Sequence, residues 1–418
     1  MDVTRVLFAS CHGYIDPSSG AAVSTRELME LFASHGIDAR VLSTGVLDYT
    51  RETPLKEVLD RLNAPYRIAR AALSGTGGPM RDGTLRDVEV YDLLLNGVRV
   101  TLMPTASSRS VKAPSTVETA SFLDLAEQVF DRFQPQVLMT YGGQPLVHEL
   151  IRRARRRGIA VVFHLRNFQY TGRSLFEEVD GLVVTTEYTR RHYAALLGRD
   201  CKVIPNPLRP DRVVADDPQP RYLTFVNPSP NKGMTIVARI AVELDRRRPD
   251  IPLLIVEGRT TVDGLRLLDL DMSRLRNLHR MANTPDPRDF YRVTRAVLMP
   301  SLWRESFGRV AAEALANGIP VLGSDRGALP ETIGTGGFVL SIPDQYTPAC
   351  GEIPTAEEVE PWITIIERLW DDPEWEAAQR SRALLASRRW NESDVADAYK
   401  TYFESLVASP GSSQDRPD

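Results

Sequence analysis

Cysteine is scarce in this sequence, and its scarcity excludes several classes of protein. Three cysteines occur among 418 residues. Cys11, Cys201 and Cys350 are far apart and odd in number, so they do not form the paired framework of a small disulfide-rich protein. Their spacing also matches no zinc-binding motif, and we predict no metal site.

Long apolar runs and an excess of one charge are also lacking. No run of 18 apolar residues occurs, which predicts no membrane-spanning helix. The 51 basic and 55 acidic residues leave a net charge of −4, whereas nucleic-acid-binding proteins usually carry a basic excess. The amino terminus lacks the basic segment and long apolar core of a signal peptide. We therefore expect a cytoplasmic protein without a nucleic-acid partner.

Lysine is rare among the basic residues. Only 5 of the 51 are lysines, and the others are arginines. Codon use in a GC-rich bacterial genome explains this bias more simply than selection on the protein does. The rarity gives weight to any lysine that lies in a recognisable motif, and Lys232 is such a residue.

Short apolar runs alternate with longer segments of helical spacing along most of the chain. This alternation predicts an α/β protein whose parallel strands are joined by helices and whose sheets are covered on both faces. The pattern is interrupted by the segment from Pro205 to Pro220, which contains five prolines and an acidic pair. The pattern restarts after this segment. We interpret the interruption as a linker between two Rossmann-like domains that face a cleft.

The predicted domain organisation follows from this interruption. Residues 1–207 form an amino-terminal Rossmann-like domain, residues 208–220 the linker, and residues 221–390 a carboxyl-terminal Rossmann-like domain. Residues 394–407 have the spacing of an amphipathic helix. Residues 408–418 are polar and contain two prolines, which predicts a disordered tail.

The most specific motif lies within residues 300–318. An apolar strand ends there, a polar loop carries Glu305, and the turn 306–308 leads into a helix that ends at about Asn317. Such a turn places free N–H groups and the positive end of a helix dipole where phosphate groups bind. Glu305 and Glu313 repel phosphate and suit sugar or ribose hydroxyls. Two turns separate them, so we expect them on one side of the chain.

A purely structural interpretation of both glutamates is also open. Glu305 then complements the dipole of the helix, and Glu313 is a solvated helix residue. The apolar neighbours of Glu313, which include Ala312 and Leu315, favour a buried position instead.

This segment resembles the E-x7-E motif of retaining GT-B glycosyltransferases, in particular family 4 of the glycosyl transferases group 1 type. The resemblance continues through residues 317–331 and is strongest between about Arg221 and Leu340. It implies a GT-B fold, a nucleotide-diphosphate sugar as the donor, and a hexosyltransferase reaction that retains the anomeric configuration. It implies no metal or other cofactor, and it implies that helix 394–407 packs back on the first domain.

The resemblance assigns roles in both domains. Lys232 matches the lysine on the donor diphosphate, while Asn227 stands where the family usually has an arginine. His164 ends a strand and matches the histidine near the transferred sugar, and Gly20 matches the first-domain glycine-rich loop. The implied catalytic residues are Glu305, His164 and Lys232, and the implied donor-binding residues are Gly20, Lys232, Arg280, Met281, Ser306, Phe307, Gly308 and Glu313.

The mechanism that the resemblance implies is front-face transfer. Residues 1–207 form the acceptor side, and residues 221–390 bind the nucleotide sugar. Lys232 and the helix that begins near Ser306 stabilise charge on the leaving diphosphate. Glu313 holds the ribose hydroxyls, Glu305 holds the hydroxyls of the donor sugar, and residues 280–281 lie near the base. A donor phosphate oxygen takes the proton of the acceptor, so no strong protein base is needed.

Two other patterns are interpreted as surface features. Asp269-Leu270-Asp271 has the D-x-D spacing of a metal-binding motif but lies in an apparent surface helix. The arginine-rich run from Arg152 to Arg157 would attract anionic lipid by about 1 kcal/mol per basic residue. The run has no adjacent apolar patch, so we predict a solvated helix face and do not expect peripheral membrane contact.

The sequence leaves the substrates and two rival functions open. UDP-sugar is the default donor, and the acceptor is a glycan, a lipid-linked sugar, a natural product or a small metabolite. One rival is a GT-B-fold sugar-nucleotide epimerase, which would use the same diphosphate site without transfer. The other is a catalytically silent glycosyltransferase-like partner protein, a reading favoured by Asn227 and by the single glycine of the first loop.

Overall fold

The computed structural model describes residues 2–17, 19–45, 55–73, 86–106, 114–262 and 275–408. The chain forms two compact units, and each is described by itself. The first comprises the described residues of Met1–Val184, His192–Pro207 and Glu392–Asp418. The second comprises those of Thr185–Arg191 and Leu208–Asn391.

The first unit is built on a nine-stranded sheet in the order β3-β4-β5-β2-β1-β6-β7-β8-β9. Its strands are β1 (Arg5–Ser10), β2 (Asp38–Thr44), β3 (Tyr66–Leu73), β4 (Arg86–Leu95), β5 (Val98–Met103), β6 (Val137–Thr140), β7 (Ala160–His164), β8 (Gly181–Val184) and β9 (Lys202–Val203). The central strands are buried along most of their length, which agrees with their apolar runs.

Helices cover the sheet of the first unit. They are α1 (Gly20–Ser34), α2 (Leu55–Arg61), α3 (Thr116–Phe133), α4 (Pro145–Arg156), most of α5 (Glu187–Leu197), and the last helix α13 (Glu392–Ala408). A reciprocal capping box between Ser115 and Glu118 fixes the start of α3. Tyr399 and Phe403 of α13 are buried against Phe32 of α1, so the last helix belongs to the core of the first unit.

The second unit contains a six-stranded parallel sheet in the order β12-β11-β10-β13-β14-β15. Its strands are β10 (Tyr222–Val226), β11 (Leu253–Val256), β12 (Leu278–Met281), β13 (Thr294–Met299), β14 (Val321–Ser324) and β15 (Gly337–Leu340). Its helices are α6 (Pro210–Val213), α7 (Met234–Arg247), α8 (Arg288–Tyr291), α9 (Arg309–Ala316), α10 (Leu329–Ile333), α11 (Ala356–Asp371) and α12 (Pro373–Ser387). Two apolar clusters pack on this sheet, one of them around the fully buried Trp362 of α11.

The predicted α/β class with parallel sheets is confirmed, but one part of the first sheet differs. β3 and β4 form an antiparallel hairpin, and β4 also pairs antiparallel with β5. The alternation of apolar runs and helical segments did not predict this hairpin. The residues of β3 are largely exposed because it is the edge strand of the sheet, so it has no continuous apolar run.

Two predictions concern segments at the limits of the described residues. The predicted tail 408–418 lies outside them beyond Ala408, as does the D-x-D at Asp269 and Asp271. Among the helices of the described residues, none combines the length and the apolar character needed to cross a membrane.

Candidate functional site

The candidate site of the second unit lies beyond the carboxyl ends of β10 and β13. These strands are parallel neighbours, so the loops that follow them meet at one edge of the sheet. The backbone N–H groups of Leu302 and Trp303 both donate to the carbonyl of Asn231 at 3.0 Å. The turn that carries Lys232 and the loop that carries Glu305 are therefore joined by direct hydrogen bonds.

Gly233 allows this close approach. It ends the short turn Pro230–Lys232 with φ +81°, a conformation that favours glycine. A Cβ atom at this position would lie 1.9 Å from the carbonyl oxygen of Pro300, so no other residue fits without a backbone shift. The turn that carries Lys232 is thus held against the end of β13.

Lys232 and Glu305 form an ion pair at the centre of the site. The Nζ of Lys232 lies 2.5 Å from Oε1 of Glu305, and the Ser301 hydroxyl donates to the same oxygen at 2.8 Å. The Lys232 side chain is 30% exposed and that of Glu305 is 12% exposed. The two predicted catalytic residues of this unit are therefore in contact, and their charges offset each other.

The backbone of Glu305 is fixed by a second loop. Glu305 forms a parallel bridge with Gly327, and its carbonyl accepts a hydrogen bond of 2.8 Å from the N–H of Ala328. Gly327 has φ +66°, and a Cβ atom there would lie 2.4 Å from the Glu305 carbonyl oxygen. The loop after β14 thus holds the loop after β13 in place.

Three threonine hydroxyls hold the carbonyl oxygen of Ser306. They are those of Thr185, Thr186 and Thr189, at 3.1, 3.0 and 3.2 Å. The Phe307 carbonyl accepts a further hydroxyl hydrogen bond from Thr332. In a trans peptide the N–H points opposite to the carbonyl. The N–H groups of Phe307 and Gly308 therefore point away from these hydroxyls.

Helix α9 begins later than the sequence predicts. Its first residue is Arg309, because Gly308 adopts a left-handed conformation with φ +86° at the N-cap. The helix ends at Ala316. Gly318 has φ +64°, the left-handed conformation expected of a glycine that terminates a helix. Glu305 lies before the helix. The argument that two helical turns place Glu305 and Glu313 on one side is therefore wrong.

Glu313 is a buried partner of two side chains. It is 5% exposed, its Oε2 accepts the Tyr291 hydroxyl at 3.0 Å, and its Oε1 is ion-paired with Arg309. Burial and the adjacent Glu313 carboxylate raise the pKa of Tyr291 well above its usual value, so Tyr291 stays a donor. The predicted burial of Glu313 is confirmed, and the proposed ribose contact stays a prediction.

Arg280 and Met281 end the edge strand β12. Arg280 makes a two-fold contact with the buried Glu257, with Nε–Oε1 at 2.9 Å and Nη2–Oε2 at 3.1 Å. The Arg280 side chain is nevertheless 55% exposed. Two inter-strand steps of about 4.8 Å separate β12 from β10, which places this pair roughly 10 Å from the turn with Lys232.

His164 and Gly20 belong to the first unit. His164 ends β7, is 2% exposed and stacks on Tyr399, and its Nε2 has no hydrogen-bond partner in the described chain. Burial and the charge of Arg166 lower its pKa well below the usual value, so the imidazole is neutral. Gly20 is the first residue of α1. A Cβ atom there would meet nothing within 4 Å, and Ser18, two residues earlier, lies outside the described residues.

The comparisons with known proteins agree with this geometry. Residues 211–360 match the family model described as "Glycosyl transferases group 1". Over its whole length the chain also superposes on HepE from Anabaena, solved in complex with UDP and glucose. That match has a TM-score of 0.66 at 15% identity and covers 96% of this chain and 100% of HepE. Residues 211–360 thus form a group 1 glycosyltransferase domain, and the chain has the GT-B fold.

The chain is also similar to other known proteins. The catalytic domain of starch synthase IV from Arabidopsis thaliana, bound to ADP and acarbose, superposes with a TM-score of 0.69 at 11% identity, covering 98% of this chain and 100% of that one. D-inositol 3-phosphate glycosyltransferase of Arthrobacter sp. is 30% identical over 34% of this chain and 32% of its own length. Phosphatidyl-myo-inositol mannosyltransferase of Mycolicibacterium smegmatis is 28% identical over 48% and 55%. The matches thus span about a third to a half of these curated relatives.

Sequence reasoning missed Arg166 and noted Glu257 only as a strand-end residue that aligns with the family pattern. Arg166 is partly buried beside His164 and donates to Asn206 at 2.8 Å and to Thr25 at 3.2 Å. Glu257 is the buried partner of Arg280. Glu257 directly follows the apolar strand β11, and Arg166 lies two residues beyond β7. A charged residue at the end of an apolar strand is the sequence signal that indicates such a group.

Of the two predicted surface patterns, only the arginine-rich run lies within the described residues. Four arginines of the basic run are ion-paired, so α4 presents little unbalanced positive charge: Arg152 with Glu149 and Glu178, Arg153 with Asp124, Glu127 and Glu149, Arg155 with Asp180, and Arg157 with Glu127 and Asp131. The D-x-D lies outside the described residues. Within those residues, no group of three potential metal ligands occurs.

Proposed function

We propose that the protein is a retaining family 4 glycosyltransferase that moves a hexose from a nucleotide-diphosphate sugar to an acceptor. The Lys232–Glu305 pair carries this proposal. It brings a cation for the diphosphate and a carboxylate for sugar hydroxyls to the carboxyl ends of two neighbouring strands. The family match and the GT-B fold support the same reaction class.

The proposed donor diphosphate competes with Glu305 for Lys232. Lysine is a compact point charge on a flexible stem, so its ammonium group can turn from a carboxylate to a phosphate oxygen. Ser301 continues to hold Oε1 of Glu305, and within the described chain Oε2 accepts no hydrogen bond. Glu305 then has an oxygen for a hydroxyl of the donor sugar.

Backbone donors complete the proposed diphosphate site. The N–H groups of Phe307 and Gly308 and the amino-terminal end of α9 favour a negative charge that develops on the leaving group. The threonine hydroxyls on the Ser306 carbonyl fix these peptide planes before the reaction. Preorganised donors of this kind need no rearrangement while the charge forms.

The remaining residues have subsidiary roles in the proposal. Glu313 binds the ribose while Arg309 and Tyr291 keep its carboxylate oriented. Arg280 and Met281 lie beside the base. The contact of His164 with the transferred sugar and the approach of Gly20 to the diphosphate rest on the family resemblance. The proposal needs no metal, because the leaving group is stabilised by lysine and peptide dipoles.

The substrates of the proposed reaction follow from the relatives. A UDP-sugar is the first donor to test, since HepE is solved with UDP. An inositol phosphate or phosphatidylinositol is the first acceptor to test, since the curated relatives act on these polyols. Glycans, lipid-linked sugars and natural products complete the acceptor panel, and the cytoplasm is the proposed location.

A transfer assay tests the proposal. The protein is incubated with UDP-, GDP- and ADP-sugars and the acceptor panel, and products are detected by mass spectrometry, with the anomeric configuration read by NMR. Transfer with retention that is lost in Lys232→Ala and kept in Lys202→Ala supports it, because Lys202 is an exposed lysine of the first unit. Inversion contradicts the retaining mechanism, and an epimer formed from donor alone indicates the epimerase.

One observation favours the catalytically silent alternative. Asn227 replaces the usual arginine, and its side chain is used locally, because Oδ1 accepts the N–H of Thr260 at 3.2 Å while the backbone has φ +60°. If this loss is decisive, the purified chain binds nucleotide sugars without turning them over. Turnover of donor and acceptor by the chain alone would exclude the alternative.

A further inference from the structure

A cavity of about 850 Å³ lies in the first unit, between α3 and the outer strands of the nine-stranded sheet. Its lining comes from the amino-terminal halves of β1, β2 and β5, from the hairpin β3–β4, and from the carboxyl-terminal half of α3. His164 and Gly20 lie instead beyond the carboxyl ends of strands. The cavity is therefore separate from the predicted sugar contact of this unit. Its volume falls in the range of small-molecule pockets.

Two contacts between α3 and the sheet involve residues that line the cavity or neighbour it. At one, the guanidinium of Arg40 lies 4.1 Å from the centre of the Phe133 ring. At the other, Nε2 of Gln128 donates to the carbonyl of Ala72 on β3 at 2.6 Å. Between these contacts the sheet presents short side chains such as Ala71, which leave the space open.

The cavity wall carries an unusual number of arginines for the inner face of an α/β sheet. Arg40 and Arg99 are register partners on β2 and β5, and Arg67 and Asp92 are register partners on β3 and β4. Arg132 of α3 faces them. Four arginines thus line the cavity together with one aspartate.

Two of these arginines have uncompensated charges. In the part of the chain that the structure describes, Arg99 and Arg132 form no ion pair, whereas Arg40 pairs with Asp38 at 3.0 Å. Arg67 approaches Asp92 only to 3.9 Å. The cavity therefore has a positive potential that an anion would offset.

The remaining wall is apolar and partly exposed. Tyr66, Ala71 and Val129 line the cavity, pack against the core of the first unit and keep part of their surface accessible. An apolar chain bound against them would lose its contact with water, at about 25 cal/mol per Å² of apolar surface. Cations on one part of the wall and apolar side chains on another match a ligand with an anionic head and an apolar body.

We propose that this cavity binds an anionic amphiphile, a carboxylate or phosphate that carries an alkyl or prenyl chain. Arg99 and Arg132 hold the head, since guanidinium groups bind both anions through paired hydrogen bonds. Tyr66, Ala71 and Val129 contact the chain. The site is independent of the proposed glycosyl transfer, and its ligand is a regulator or stabiliser of the first unit.

Calorimetric titration of the full chain tests the proposal. Decanoate and decyl phosphate are titrated below their micelle concentrations, with decanol, acetate and inorganic phosphate as probes that lack the head or the chain. We expect one molecule of decanoate or decyl phosphate to bind, and the stronger of the two identifies the head group. We expect Arg99→Gln to weaken that binding about tenfold or more, as for a lost charge-assisted hydrogen bond.

Matched variants make the outcome decisive. Val90→Trp fills the cavity and should abolish binding, while Arg156→Gln, on the exposed face of α4, should not change it. Binding of UDP, measured alongside, should be the same in all variants. The proposal is overturned if neither amphiphile binds, if decanol or acetate binds as tightly as decanoate, or if Arg99→Gln binds like the unmodified chain. Arg99 is exposed, so this last arm does not depend on how well Val90→Trp folds.

Discussion

Replacement of Lys232 by alanine is the sharpest test of the proposed donor site. Lys232 is held in a glycine-ended turn 2.5 Å from Glu305, and Asn227 occupies the place of the second cation of the motif. We expect kcat/KM to fall about 10²- to 10³-fold, or roughly 2.7–4 kcal/mol, as when one charge-stabilising donor is removed from an active site.

The stability of the protein should change far less than its activity. The Lys232–Glu305 pair is partly exposed, and pairs of this kind contribute about 0–1 kcal/mol. Ser301 still donates to Glu305 when the lysine is removed. In a unit of about 200 residues, 1 kcal/mol shifts Tm by roughly 2–4 °C. Thermal unfolding therefore distinguishes a lost cation from a misfolded variant.

The assay is steady-state kinetics on folded variants, with the donor varied at saturating acceptor. Lys232→Arg should recover part of the activity, because a planar guanidinium places its charge differently. Glu305→Gln should lower kcat, and the double variant should lose less than the sum of the two, because the residues are in contact. A Lys232→Ala enzyme with nearly unchanged kcat/KM would refute the assignment of the diphosphate to this lysine.

Four further predictions use other parts of the structure. Glu313→Gln should raise the donor KM about 10- to 150-fold with a smaller effect on kcat; unchanged donor affinity would remove Glu313 from the site. Activity should survive EDTA, and loss restored by Mn²⁺ or Mg²⁺ would contradict this. Gly327→Ala should cost roughly 1–3 kcal/mol of stability, read as a lower Tm, because its Cβ would clash with the Glu305 carbonyl. His164→Asn should weaken the loss of Tm below about pH 6.5, since the unfolded chain protonates this histidine before the folded chain does; an identical pH profile would count against a buried neutral imidazole.

The motif of residues 300–318 shows what local sequence predicts well. The apolar run, the polar loop and Gly318 each depend on neighbouring residues, and the strand end and the helix end were correctly placed. The start of α9 was placed too early because Gly308 takes a left-handed conformation at the N-cap, where a Cβ atom would lie 2.7 Å from Cδ2 of Leu329. A glycine permits that conformation without requiring it.

Features that depend on distant residues were not predictable in the same way. The hairpin β3–β4 is a pair of strands because β5 supplies hydrogen bonds to β4, and the exposed residues of β3 carry no period that reveals it. The Lys232–Glu305 pair joins residues 73 positions apart. The sequence indicated a role for each, but their contact follows only from the register of β10 and β13.

The Lys232–Glu305 pair also has a consequence for product release. After transfer the proposed reaction leaves a nucleoside diphosphate, which carries more negative charge than the donor and so tends to be bound more tightly. Glu305 competes with that product for the same ammonium group, at a distance of 2.5 Å when they are paired. The carboxylate thereby acts as an internal counterion that lowers the affinity for the spent nucleotide and limits product inhibition. Glu305→Gln should accordingly lower the inhibition constant of the nucleoside diphosphate.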